Sequence, residues 1–252
     1  MSGTVLSREV LKPPLTRRLR WEMAARRQTL NRVARLTAPH VALTAVETAA
    51  LMRLRADGFA VIPAAEFEWP LLPALEREFW AFHAAASSQE GWRIRAVPTG
   101  AAVDPASPVV RMGLDAVKRI ADAFYGLPAR LLYPDLWVVR PGAPDRERRA
   151  SQVWHRDPED IPILKVFLYF SAVTPEAGPL EYVPASRHRR AYEVPPAGTD
   201  IVRVTCPAMS VALFDASALH RGGYALSTER HSATWAYVTP ASRYPSTFAV
   251  QP

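Results

Sequence analysis

The hydrophobic rhythm of the chain changes about halfway along. In residues 16–36, Leu19, Met23, Leu30 and Val33 recur at roughly helical spacing among arginines and predict a first helix. A second helix is predicted from Thr44 to Ala56. Thr44 is an N-cap residue, Glu47 stands three residues on as in a capping box, and Asp57-Gly58 supplies the stop. Phe59-Ala60-Val61-Ile62-Pro63 has the composition of a short strand. Residues 70–86 carry a strong apolar stripe behind Pro70 and predict a third helix, and residues 114–125 predict a fourth.

From about residue 131 short β-rich runs follow one another: Leu136–Arg140, Gln152–His155, Ile163–Ala172, Leu180–Val183, Ile201–Thr205, Ser210–Phe214 and Ser232–Val238. Pro-Gly, Pro-Glu-Ala-Gly, Pro-Pro-Ala-Gly and Arg-Gly-Gly punctuate them. Many short strands with turn signals predict a sandwich or jelly roll. Helices first and strands later is the α+β order, here mainly β, with the helices backing a β core. A polar stretch at 141–150 precedes one of the runs and is a lid candidate.

The composition, 49% apolar and 22% charged, is that of an ordinary globular protein. No run of about 18 apolar residues is present, so no membrane span is expected, and the first residues lack the pattern of a secretory signal. The single cysteine, Cys206, excludes an intrachain disulfide and fits a reducing cytoplasm as a small buried hydrophobe. The net charge of +7 is localised. Residues 1–40 hold nine basic and two acidic residues, while the remainder holds 22 of each. The expected organisation is therefore a basic helical extension over 1–40 and one domain over 41–252. Arginine-rich segments bind nucleic acid or anionic surfaces, but no aromatic interleaving or nucleic-acid motif accompanies this one, and a solvated helix face is the expectation. Oligomeric state is not legible.

The chemistry concentrates in two places. Val153-Trp154-His155-Arg156-Asp157-Pro158 sets a histidine and a carboxylate two positions apart, and Leu219-His220-Arg221-Gly222-Gly223 offers a second histidine before a Gly-Gly turn. On a strand, His155 and Asp157 point to the same side of the pleat. Two imidazoles and one carboxylate can hold one face of an octahedral Fe(II) and leave the other open to a cosubstrate and O₂. Arg230-His231-Ser232 follows ten residues later. The tripeptide His155-Arg156-Asp157 also spells a kinase catalytic loop, but Pro162 stands where the required Asn would be.

In this order the motifs resemble the phytanoyl-CoA dioxygenase-like branch of the Fe(II)/2-oxoglutarate oxygenases. The similar segments are Leu54-Arg55-Ala56-Asp57-Gly58-Phe59-Ala60-Val61-Ile62-Pro63, Trp154-His155-Arg156-Asp157, and Glu176-Ala177-Gly178-Pro179-Leu180-Glu181-Tyr182-Val183-Pro184-Ala185-Ser186-Arg187-His188. Ala177 and Ala185 depart from the family's text at turn positions, and His188 comes one residue late. The resemblance spans about residues 50–240. It implies a double-stranded β-helix (a jelly roll of cupin-like form) that holds Fe(II) through His155, Asp157 and His220. It also implies that 2-oxoglutarate chelates the iron and pairs its far carboxylate with Arg230, helped by the Ser232 hydroxyl. A planar guanidinium matches a carboxylate bidentately and stays charged when partly buried. The implied reaction couples oxidative decarboxylation to succinate and CO₂ with oxidation of an unactivated C–H of a small molecule. Hydroxylation is the default, with ring closure, desaturation or demethylation using the same ligands. Asp157 disfavours halogenation, for which relatives carry a small residue there.

Other residues are open. Lys165, inside an apolar run, either contacts 2-oxoglutarate or a substrate anion or faces outward. Arg140 either contacts substrate or cosubstrate or does not. Arg156 points away from the two ligands and is matched with Glu159 or Asp160. Trp154 and Tyr169 are expected in the core, and His231 on the opposite side of its strand from Arg230. A cupin-like non-redox metal protein and a nucleic-acid-associated oxygenase are the competing functions.

Overall fold

The computed structural model describes residues 14–97, 102–142, 147–148, 150–186, 194–246 and 249–250. The elements run α1 (Pro14–Arg35), α2 (Ala45–Asp57), β1 (Phe59–Pro63), α3 (Leu72–Ala86), β2 (Arg93–Arg95), β3 (Ala102–Val103), α4 (Pro108–Leu114), α5 (Ala116–Tyr125) and β4 (Arg130–Val139). They continue with β5 (Leu164–Tyr169), β6 (Leu180–Tyr182), β7 (Val202–Val204), β8 (Ser210–Asp215), β9 (His220–Gly222), β10 (Arg230–Val238) and β11 (Ala249–Val250).

Six strands form one antiparallel sheet in the order β1-β8-β5-β10-β4-β2, and three form a smaller antiparallel sheet, β7-β6-β9. Side-chain alternation gives the large sheet two different faces. Leu164, Val166, Leu168, Val211, Leu213, Ala233, Trp235 and Tyr237 point to one side and share a core with α2–α5. Tyr169, Ala212 and Phe214 point to the other and join Leu180, Tyr182 and Val204 of the small sheet, with Cys206 just beyond it. The central strands β5 and β8 are thus covered on both faces, which is why they read as near-continuous apolar runs.

The helical layer is fixed to the sheet by hydrogen bonds as well as by packing. Trp235 Nε1 donates to Val109 O at 2.7 Å, and the Tyr237 hydroxyl to Gly113 O at 2.6 Å. A Cβ on Gly113 would lie 2.5 Å from the Trp235 ring, so only glycine lets α4 cross there. Tyr125 OH donates to Tyr237 O at 2.6 Å and accepts from Leu164 N at 2.9 Å, tying α5 to two strands.

Several expectations are met closely. Thr44 and Glu47 form a complete capping box on α2, and Gly58 closes that helix in the left-handed region at φ 84°. Others are revised. The expected helix over 114–125 is two helices separated at Asp115, whose φ and ψ of −126° and −92° are not helical. The expected strand over 152–155 is a 3₁₀ turn over 150–152 followed by a lone bridge at His155. Gly222 lies in β9 and Gly223 runs on to donate to Pro179 O at 2.8 Å, so these glycines mark a close approach rather than a turn.

The first helix is oriented against its own stripe. Leu19, Leu30 and Val33 are 56%, 68% and 69% exposed, whereas Asn31 is buried. The helix docks by polar atoms: Gln28 Nε2 donates to Asp160 Oδ1 at 3.1 Å, and Arg35 Nε to Tyr125 O at 2.8 Å. Residues 1–13, His188 and half of the lid candidate at 141–150 (143–146 and 149) lie outside the described residues.

Candidate metal centre

The backbone brings His155 and His220 together directly. Their amides exchange hydrogen bonds with each other's carbonyls at 3.0 Å in both directions. On its other side His220 pairs with Tyr182 of β6. Two residues on, Asp157 N donates to Ala216 O at 3.0 Å, which keeps the segment in register with the chain leading into β9. The two imidazole centroids are 4.3 Å apart. Each ring is oriented by a carbonyl two residues upstream: His155 Nδ1 lies 2.7 Å from Val153 O, and His220 Nδ1 2.9 Å from Ala218 O. A carbonyl only accepts, so Nδ1 carries the proton in both rings and Nε2 keeps its lone pair.

Those Nε2 atoms face Asp157. His155 Nε2 is 3.7 Å from Asp157 Oδ1, and His220 Nε2 is 3.9 Å from Oδ2. One donor atom from each of the three residues lies within 4.8 Å of the others, so the set can hold a metal ion. An octahedron with bonds of roughly 2.1 Å has adjacent ligands about 3 Å apart, so only a small contraction is required.

The electrostatics leave the donors ready. Burial holds His220 down to about 3 and lowers His155 as well, so both imidazoles are neutral at ordinary pH. Burial alone would raise the Asp157 carboxyl, but Lys165 and the two histidines outweigh it and hold it at about 2. Lys165 Nζ is in ion-pair contact with Asp157 Oδ2. The outward-facing alternative for Lys165 is therefore corrected. It opposes Ala236 of β10 and Phe214 of β8 on the inner face, with its ammonium on the candidate metal ligand.

Arg230 and Ser232 also belong to the inner face, Ser232 in register with Tyr169. Ser232 is buried. Arg230 Nη1 donates to Ala177 O at 3.1 Å, and among the described residues no carboxylate lies within ion-pair distance of its guanidinium. Burial lowers its pKa, opposed by the neighbouring Tyr169.

Arg140 is not in the pocket. Its Nη2 donates to Ala86 O at 2.8 Å, Nη1 donates to Gln89 O, and Nε pairs with Glu229 at 3.3 Å. The guanidinium satisfies the carbonyl end of α3, which corrects the expected substrate or cosubstrate contact. Arg156 turns away from the ligands and donates to Ser186 O and Ser217 O at 2.9 and 2.8 Å.

No protein-family model matches the sequence, and no curated relative matches it. Solved structures do. The non-heme alpha ketoglutarate dependent epimerase SnoN from nogalamycin biosynthesis is 17% identical, with a TM-score of 0.57 over 81% of this chain and 87% of that one. The chain shares a fold with it. EctD from S. alaskensis, solved with 2-oxoglutarate and 5-hydroxyectoine, is 20% identical, with a TM-score of 0.56 over 87% of this chain and 86% of its own. HygX from Streptomyces hygroscopicus, solved with nickel and 2-oxoglutarate bound, is 18% identical, with a TM-score of 0.53 over 79% and 88%.

One pocket residue escaped the sequence pattern. Arg93 of β2 has its guanidinium 5.0 Å from the ring centroids of both Trp92 and Trp137, and Nη1 donates to Ser151 Oγ at 3.1 Å. Its charge is felt at His155. The signal was there in the alternation Arg93-Ile94-Arg95, which is too short to read as a strand unaided.

Proposed function

We propose that the chain is an Fe(II)- and 2-oxoglutarate-dependent oxygenase that hydroxylates an unactivated C–H of a small biosynthetic molecule, releasing succinate and CO₂. The two facing sheets are then the halves of a double-stranded β-helix, as in the phytanoyl-CoA dioxygenase-like enzymes that the motifs resemble. The observation that carries the proposal is the pairing, on one inner face, of a three-donor cluster with a half-buried guanidinium that has no carboxylate within ion-pair distance among the described residues.

His155 and His220 would hold the iron through Nε2 and Asp157 through a carboxylate oxygen. This donor set suits Fe(II) and occupies only part of its coordination sphere. When bound, the ion supplies O₂ activation coupled to decarboxylation of 2-oxoglutarate. Arg230 would receive the far carboxylate of that cosubstrate as a bidentate partner, with the Ser232 hydroxyl as a further donor. The low-dielectric surroundings strengthen such a pair. Lys165 would neutralise Asp157 before metal enters and then face the anionic cosubstrate. Arg93, at the edge of the same face, is placed to meet substrate.

A metal-binding protein without redox chemistry needs no inward-facing cation waiting for an anion, so Arg230 favours the oxygenase. The structural neighbours point the same way: SnoN is an alpha ketoglutarate dependent enzyme, and EctD and HygX were solved with 2-oxoglutarate. No helix among the described residues is long and apolar enough to cross a membrane. A cytoplasmic location is proposed on the single buried Cys206.

Succinate release tests the proposal. With Fe(II), 2-oxoglutarate and O₂, alone and with panels of small-molecule substrates, the protein should release succinate above the level of its His220→Ala variant. Equal release from the two would contradict it.

A further inference from the structure

We propose a second metal site on the other face of the sheet, formed by His83, Glu229 and His231, that takes a divalent first-row cation of the Zn²⁺ type. His231 alternates with Arg230 and Ser232 along β10 and so points away from the iron cluster, toward α3. His83 comes from the last turn of α3. Glu229 immediately precedes β10. One donor atom from each lies within 4.8 Å of the others.

Both imidazoles present Nε2 to the same carboxylate oxygen. Glu229 Oε2 is 3.1 Å from His83 Nε2 and 2.9 Å from His231 Nε2. Bonds of about 2.0–2.1 Å around a tetrahedral zinc put neighbouring ligands roughly 3.4 Å apart, so these separations are close to those of a ligand polyhedron. Two nitrogens and one oxygen match the borderline character of Zn²⁺, and three protein ligands leave a fourth position for water.

The carboxylate is held for this role. Arg140 pairs with Oε1 and is itself fixed to the carbonyl end of α3, which turns Oε2 toward the imidazoles. Phe79 and Trp80 wall the cluster, with ring centroids 5.5 Å from His231. The side chains of His83 and Glu229 are 31% and 32% exposed, so an ion can reach them from solvent. His231 Nδ1 is buried without a hydrogen-bond partner among the described residues.

Occupancy would cross-link α3 to the residues on either side of Arg230. That consequence rests on the proposed function; the site does not. The test therefore removes the iron cluster first. The full chain carrying His155→Ala and His220→Ala is titrated with Zn²⁺ by calorimetry, and with Co²⁺ by visible absorption. We expect one equivalent of Zn²⁺ and a tetrahedral Co²⁺ spectrum. Adding His83→Ala should weaken Zn²⁺ binding by at least about tenfold and remove the Co²⁺ bands. His83→Gln, a gentler change on a half-exposed helix position, should do the same with an unchanged melting temperature. No Zn²⁺ bound by the background protein, or binding indifferent to both His83 variants, would mean a hydrogen-bonded triad only and overturn the site. Neither result bears on succinate production by the first cluster.

Discussion

Lys165 Nζ rests on Oδ2 of Asp157, the carboxylate that faces the Nε2 atoms of His155 and His220. In the metal-free protein the ammonium supplies the counter-charge that this buried carboxylate requires. A divalent cation bound there would take over that role and meet a positive charge already in place.

Lys165→Met separates the two effects. The metal-free protein should lose about 3 kcal/mol or more, because a buried carboxylate is left without its partner. Metal affinity should tighten, since the competing charge is gone. Thermal unfolding with and without Fe(II) checks both: the variant should melt lower than wild type without metal and gain more on adding it. A variant whose gain equals that of the wild type would remove Lys165 from the metal balance.

Arg230 and Arg140 make a contrasting pair of strand-end arginines. Arg230→Ala should raise the 2-oxoglutarate requirement roughly a hundredfold, the scale for losing a buried charge pair, while Fe(II) still binds. Arg140→Ala should leave that requirement unchanged and lower stability instead, because it frees the end of α3. Steady-state titration of 2-oxoglutarate on both variants decides, and equal effects would contradict the placement.

Gly223 permits the approach that seats β9. A Cβ there would lie 2.3 Å from Pro179 O and 2.6 Å from Gly178 C, both backbone atoms. Gly223→Ala should therefore cost about 1–3 kcal/mol and weaken Fe(II) binding by shifting the strand that carries His220. At Gly222 the nearest atom to a Cβ is 3.5 Å away, an ordinary contact, so Gly222→Ala should be nearly neutral. Denaturant unfolding and metal titration of the two variants provide the comparison.

The basic first helix is attached through Gln28 and Arg35, not through its apolar stripe. Removing residues 1–40 should leave Fe(II) and 2-oxoglutarate binding intact and lower stability modestly. Loss of succinate release together with loss of a salt-sensitive polynucleotide affinity would favour the nucleic-acid alternative.

How far the sequence carried depended on whether a feature was local. The capping box at Thr44 and Glu47 spans four residues and was legible in full. So was the pairing of His155 with Asp157, because strand-like geometry puts alternate residues on one side. The face of Lys165 was not, since β5 is covered on both sides and its apolar run has no polar rhythm to mark the inside. Arg140 stands one residue past β4, and its partner is a helix end more than fifty residues upstream in the chain. The outward stripe of α1 reverses the usual expectation because its docking partners, Asp160 and the Tyr125 carbonyl, are polar.

Anaerobic titration with Fe(II) and 2-oxoglutarate, followed by visible absorption, addresses the His155, Asp157 and His220 cluster most directly. The wild-type protein should develop a weak charge-transfer band saturating at one equivalent of each, absent from His220→Ala and shifted to far higher 2-oxoglutarate in Arg230→Ala. A protein that binds Fe(II) yet shows no band at saturating 2-oxoglutarate, or one whose band survives loss of His220, would contradict the assignment.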